Sequence, residues 1–246
     1  MKTPTIQELL KAGAHFGHKA AKWNPKMKQY VFAKKEGIYI INLSKTKEML
    51  EKALEYVAEI AKKGGKIVFI CTKRQGKDIV KKAAISCNMP YVTTRWLGGT
   101  LTNFKTIHNL IQKLRTLERK KETGEMEKNY TKYEKQLMLE DIEKLNNKIG
   151  GLKNLDKLPE ALFLIDVMDN KSAVKEARVV NLPTVALVDA NANPEIINYP
   201  VPCNDDAIKV IDLMANTFAE CIKENYKEQK PTVGNVTKVT GPQNLR

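Results

Sequence analysis

The chain is poor in the residues that build chemistry. Its four cysteines, Cys71, Cys87, Cys203 and Cys221, stand far apart, form no CxxC pair and have no histidine at zinc-ligand spacing beside them. Cys71 lies in an apolar run and reads as a buried thiol. With three histidines and scattered serines, no nucleophile, base and orienting acid can be assembled, and no carboxylate pair stands out as a glycosidase's would. Catalysis is not indicated. No window approaches the ~20 apolar residues of a membrane span. Met1-Lys2-Thr3-Pro4 lacks the apolar stretch of a signal peptide. The expectation is a reduced, soluble, cytoplasmic protein with no membrane partner. Acid is scarce at one end: from Met1 to Lys35 the one acidic residue is Glu8.

What is abundant is positive charge. The 246 residues carry 42 Lys and Arg against 28 Asp and Glu, a formal +14 with a pI near 9.5. Such a balance favours polyanionic partners, nucleic acid first and acidic membrane second. Residues 155 to 212 carry ten acidic against five basic residues, so the excess is uneven and one face or one end should be basic. A hydrophobic content of 42% is enough to bury a full core, as one large domain or as a domain plus an extension.

The hydrophobic pattern alternates between strands and helices. Thr5-Ile6-Gln7-Glu8 starts a short helix with a capping box, and Gly13 ends it. A basic loop follows. Gly37 to Leu43 reads as a strand, and Ser44 as the cap of a helix that Gly64-Gly65 stops. Lys66 to Thr72, Ala161 to Val167 and Pro183 to Val188 are apolar runs of strand length, as expected of parallel strands covered on both faces. Helices are expected from Gly76 to about Cys87, over Ser172 to Val180, and from about Asp205 to Asn225. This order implies an α/β fold of the open, doubly wound kind, with helices on both faces of a parallel sheet. The middle differs. Phe104, Ile107, Leu110, Leu114 and Leu117 repeat at three-four spacing, and Tyr130 to Ile149 resumes the pattern after Gly124. Two helices joined by a short turn, an antiparallel coiled-coil hairpin, are expected over 103–150. The sheet domain is thus discontinuous, 1–102 and 151–226, with 1–36 as its basic helix and loop. Residues 227–246 read as a disordered tail.

Gly13-Ala14-His15-Phe16-Gly17-His18, followed by Lys19, Lys22, Trp23, Asn24, Pro25, Lys26 and Lys28, combines phosphate-neutralising cations, rings that stack on bases and glycines that admit close backbone approach. Hydrogen bonding by His15 and His18 is favoured over a metal pair, because Phe16-Gly17 argues for a loop and no third ligand is near in sequence. Thr94 to Asn103, after a short strand at Pro90 to Thr93, could cradle a phosphate with its amides. It misses both the GxxxxGK[ST] and GxGxxG spacings, which weighs against a nucleotide- or phosphosugar-handling enzyme, the alternative function. A turn into the hairpin, or an RNA contact by Arg95 and Trp96, are the other readings. Thr72 to Lys77 opens a helix at a strand's carboxyl end, another natural anion site, though a solvated surface explains it nearly as well. Asp189, Asp205 and Asp206 could share a hard cation such as magnesium; capping by Asp205 with a turn at Asp189 to Pro194 is the favoured reading.

These blocks together, from Gly13 to His18, Trp23 to Met27, Gly37 to Thr46, Thr94 to Asn103 and Asn204-Asp205-Asp206-Ala207, resemble the bacterial-type small-subunit ribosomal protein S-two family over about residues 3 to 225. The resemblance implies a flavodoxin-like α/β domain with a protruding coiled-coil hairpin. It implies a non-enzymatic constituent of the cytoplasmic ribosome that binds small-subunit ribosomal RNA and neighbouring proteins. It further implies support for recruiting ribosomal protein S-one, and so for translation initiation. No cofactor or small-molecule substrate is required. The RNA contacts it suggests are His15, His18, Lys22, Trp23, Asn24, Lys26 and Lys28, then Arg95, Trp96 and Lys105, with core packing an alternative role for both tryptophans.

Overall fold

The computed structural model describes residues 3–226, so the tail expected at 227–246 lies outside the described residues. Its centre is a sheet of five parallel strands, β4 (Ile67–Cys71), β5 (Tyr91–Val92), β6 (Ala161–Ile165), β7 (Thr184–Val188) and β8 (Tyr199–Pro202), in the order β5-β4-β6-β7-β8. Counted along the chain this is 2-1-3-4-5, the flavodoxin-like order, whose switch point lies between the first and third strands. Every residue of β4, β6 and β7 is buried. That is why these strands read as unbroken apolar runs rather than alternating ones.

One face is covered by α2 (Leu43–Lys62), α3 (Lys77–Ser86) and α8 (Ile208–Asn225). There Phe69 meets Phe163 edge-on at 5.1 Å, and Phe163 meets Phe218 of α8 at 4.3 Å. Each such buried side chain contributes about 1.5–3 kcal/mol relative to exposure. The other face is covered by α7 (Lys171–Val179) and the base of α4 (Phe104–Glu122). α4 packs on α6 (Lys132–Ile149). Lys113 reaches Asp141 at 2.7 Å, and Asn146 donates to Glu118 at 2.9 Å. The short turn expected between these helices contains a helix of its own, α5 (Glu125–Asn129), held by buried Met126.

The N-terminal segment departs most from expectation. α1 (Ile6–Ala12) has the expected Thr5–Glu8 capping box and ends at Gly13 in the left-handed region. The basic stretch is not one loop, however. It folds into β1 (Phe16–Lys19), β2 (Val31–Lys35) and β3 (Ile38–Ile41), an antiparallel sheet ordered β1-β3-β2 and separate from the parallel one. Glu36 and Gly37 both have positive φ, 50° and 79°, and Lys35 pairs with Ile38. This is the two-residue turn whose twist suits a hairpin. The helix expected to be capped by Ser44 is capped by Asn42, whose Oδ1 accepts from the amides of Ser44 and Lys45.

Candidate nucleic-acid interface

In an open α/β sheet the ligand crevice lies beyond the carboxyl ends of the strands. Here the N-terminal segment fills it. The Asn24 amide donates to the Ala190 carbonyl at 2.8 Å, and the Asn204 amide to the Ala14 carbonyl at 3.0 Å. A Cβ on Gly17 would stand 2.8 Å from the Tyr39 carbonyl and 3.0 Å from the Ala190 methyl. Glycine there lets β1 close on β3 and on the end of β7.

The cations of this segment face outward. Asn24 caps a 3-10 helix over Pro25–Tyr30, its Oδ1 accepting from the Lys26 amide at 3.0 Å, and Met27 is the buried anchor. Lys22 and Lys28 are exposed and have no carboxylate within 4 Å among the described residues. Lys26 is exposed but pairs with Glu195. Trp23 is half-buried, stacks on Tyr39 at 4.9 Å, and its indole N–H is enclosed without a partner. His15 tilts against Phe16 at 4.0 Å, and burial lowers its pKa.

His18 turns the other way, into the crevice. Its Nδ1 lies 3.0 Å from Asp189 Oδ2 and its Nε2 3.5 Å from Asp206 Oδ2. The hydrogen bond to Asp189 is the main cause that raises its pKa, over the opposing effect of burial. Ligand atoms of His18, Asp189, Asp205 and Asp206 all lie within 4.8 Å of one another. The sequence grouped the three aspartates; the fold adds His18 to them from more than 150 positions away. Asp205 does not cap α8. Asn204 Oδ1 accepts the Asp206 and Ala207 amides, while Asp205 points inward with 1% exposure.

On the far side of these carboxylates stands Lys73, at 2.6 Å from Asp205, 2.6 Å from Asp206 and 3.1 Å from Asp166. Burial opposes its charge, yet the carboxylates hold its pKa above the usual lysine value. Burial, reinforced by Asp189, pushes Asp205 up to about 7. Asp206 is lowered: burial acts against ionisation and the Lys73 hydrogen bond outweighs it. The anion site expected at Thr72 to Lys77 is therefore occupied, because its lysine neutralises the protein's own acids.

The Thr94 to Asn103 loop is filled in the same manner. Glu176 of α7 accepts from the amides of Gly99 and Leu101 at 2.9 Å, the Trp96 indole at 3.0 Å, and the amide and hydroxyl of Thr102 at 3.3 Å. The amides that suggested a phosphate cradle do bind an anion, and it is this carboxylate. Burial opposes its ionisation, but these donors prevail and lower its pKa. Trp96, 5% exposed, takes the core-packing alternative. Arg95 and Lys105 remain exposed nearby.

Residues 9–225 match the family model described as Ribosomal protein S2. A relative from Amoebophilus asiaticus, "Small ribosomal subunit protein uS2", is 46% identical over 224 residues, 91% of this chain and 71% of its own length. Its namesake from Salinibacter ruber is 42% identical over 226 residues, 92% of this chain and 70% of its own. That from Coprothermobacter proteolyticus is 41% identical over 233 residues, 95% of this chain and 87% of its own. The chain belongs to the ribosomal protein S2 family.

Membership in the S2 family places the chain among ribosomal proteins rather than enzymes, and the alternative of a nucleotide- or phosphosugar-handling enzyme falls. The geometry agrees physically: crevice, cradle and anion site are each taken by the chain's own groups. No helix among the described residues is long and apolar enough to cross a membrane. Sequence reasoning missed Lys73 as an internal counter-ion and Glu176 as an internal ligand. Lys73 carried a signal, a lone cation at the carboxyl end of a buried strand; Glu176 carried none.

Proposed function

We propose that this S2-family chain is a constituent of the small ribosomal subunit that docks on ribosomal RNA through the surface of its N-terminal segment. The observation that carries this reading is the division of labour along residues 13–41: the backbone, Gly17, His18 and Met27 face the sheet domain, while Lys22, Lys26 and Lys28 are exposed. Lysines displayed on a braced surface replace counterions around folded RNA, while Trp23, Asn24 and His15 fix register on it. Arg95 and Lys105 extend the basic surface. The α4–α6 pair serves as a coiled-coil arm toward RNA or a neighbouring protein, and the assembled particle supports recruitment of ribosomal protein S-one. His18, Asp189, Asp205 and Asp206 hold a structural divalent cation. One ring nitrogen among three carboxylates suits a borderline ion such as zinc better than magnesium, which prefers all-oxygen ligation.

The test changes Lys22, Lys26 and Lys28 together to Glu. The Lys26–Glu195 pair is solvent-exposed, so its loss costs at most about 1 kcal/mol and the fold persists. The variant should unfold at nearly the wild-type urea midpoint yet fail to co-sediment with small subunits, and those subunits should carry less S-one. Normal co-sedimentation would overturn the assignment.

A further inference from the structure

A cavity of about 350 Å³ lies between α7 and the loops that follow β6 and β7, beside Asn24 of the basic segment. It is unlike the rest of this surface. Its floor is apolar, made by Val167, Met168, Val174 and Ile196, and its volume is at the small end of ligand pockets. Its rim is cationic: Lys171, Lys175 and Arg178, at positions i, i+4 and i+7 of α7, are exposed, and none has a carboxylate within 4 Å among the described residues. Three asparagines complete the wall. Asn24 and Asn193 spend their carbonyl oxygens on the Lys26 and Glu195 amides, each at 3.0 Å, which leaves their NH2 groups as donors. Asn191 is the converse: its Nδ2 is 3.2 Å from His18 Nε2, and its enclosed Oδ1 has no partner.

We infer that this cavity takes a single unpaired nucleobase of the ribosomal RNA, an inference that rests on the ribosomal reading above and deepens it. An apolar floor receives a base's flat face, the Asn24 and Asn193 amide donors meet its edge, and a stripe of free cations runs where the flanking phosphodiesters pass. An apolar peptide would use the floor alone. It leaves the three cations and the asparagine donors without partners, so charge complementarity selects RNA.

The experiment uses small subunits stripped of their own S2-family protein and rebuilt with this full chain, probed with dimethyl sulfate and carbodiimide for access to base edges. Wild type should protect the edge of one unpaired nucleotide. Met168→Trp, which fills the cavity from a half-exposed position, should still co-sediment but lose that protection. The triple change of Lys171, Lys175 and Arg178 to Ala, all on the surface, should weaken association by about tenfold or more at moderate salt and make the slope of log affinity against log salt shallower by about 2–3. Protection that persists in Met168→Trp, or that never appears with wild type bound, overturns the inference. So does cross-linking of the cavity to protein without base protection. Failure of wild type itself to co-sediment would instead sink the ribosomal reading on which the inference stands.

Discussion

Replacing Glu176 by Ala tests whether the cradle at Gly98-Gly99 is closed from within. The carboxylate serves five donors, three of them at 2.9–3.0 Å. Hydrogen bonds to a charged group are worth about 1.5–3 kcal/mol each, and a buried donor left unpaired costs about 1–3 kcal/mol. These do not add, since water can reach the exposed Thr102 once the carboxylate is gone, but the Trp96 indole and the Leu101 amide lie in buried residues. A net loss of about 2–4 kcal/mol follows from charging the two enclosed donors in full and the outer ones little. Each kcal/mol lowers Tm by roughly 2–4 °C in a chain of this size. Gln fares nearly as badly, because its NH2 would face a group of donors. The pH dependence has a definite sign. Glu176 has a folded pKa below its unfolded value, so its contribution is present above the unfolded pKa, near 4.3, and is lost as pH falls through the folded one. Urea unfolding followed by tryptophan fluorescence at pH 7, 5 and 4 should show the gap between wild type and Glu176→Ala narrowing toward acid. A gap under about 0.5 kcal/mol at pH 7, or one of constant size down to acid, would refute the reasoning.

Two further changes probe the crevice. Lys73→Met leaves Asp166, Asp205 and Asp206 facing one another without their cation and should cost about 3–5 kcal/mol by urea denaturation; a loss below 1 kcal/mol would mean that solvent, not Lys73, balances them. Zinc added to metal-free protein should raise Tm, magnesium should do so less, and His18→Ala should abolish the zinc effect, as read by differential scanning fluorimetry; equal shifts for wild type and variant would remove His18 from the site.

The parallel sheet was legible because burial on both faces strips polar residues from β4, β6 and β7. The small antiparallel sheet was not. Phe16–Lys19 and Val31–Lys35 are short, charged and largely exposed, so they carry neither a continuous run nor a long alternation. Glu36-Gly37 was the local hint of a hairpin, and its glycine read as readily as the start of a strand. Asn42 took the cap from Ser44 because its side chain reaches two amides of the first turn, a choice that neighbouring cap formers leave open. Trp23 and Trp96 looked alike as stacking rings. Only the neighbours, Tyr39 for one and Glu176 for the other, separate a half-exposed ring from a buried one. Glu176 itself sits in an ordinary helical pattern, and its partners lie 74 to 80 positions away.

The sites that made an enzyme conceivable are places that the chain fills with residues of its own. A doubly wound sheet presents amides and strand ends at one rim whatever its function, and polar groups there must be paired or hydrated. In an enzyme the substrate completes that pairing. In this chain Glu176 completes it for the loop before α4, Lys73 for the acids at the ends of β6 and β8, and the 13–41 segment for the part of the crevice that Gly17 and Asn24 close. Satisfying the rim internally fixes the N-terminal segment at atomic contacts such as those of Gly17 and Asn24. On the function proposed above, a lysine surface held in one shape matches one folded RNA, where the same lysines on a mobile arm would bind any polyanion.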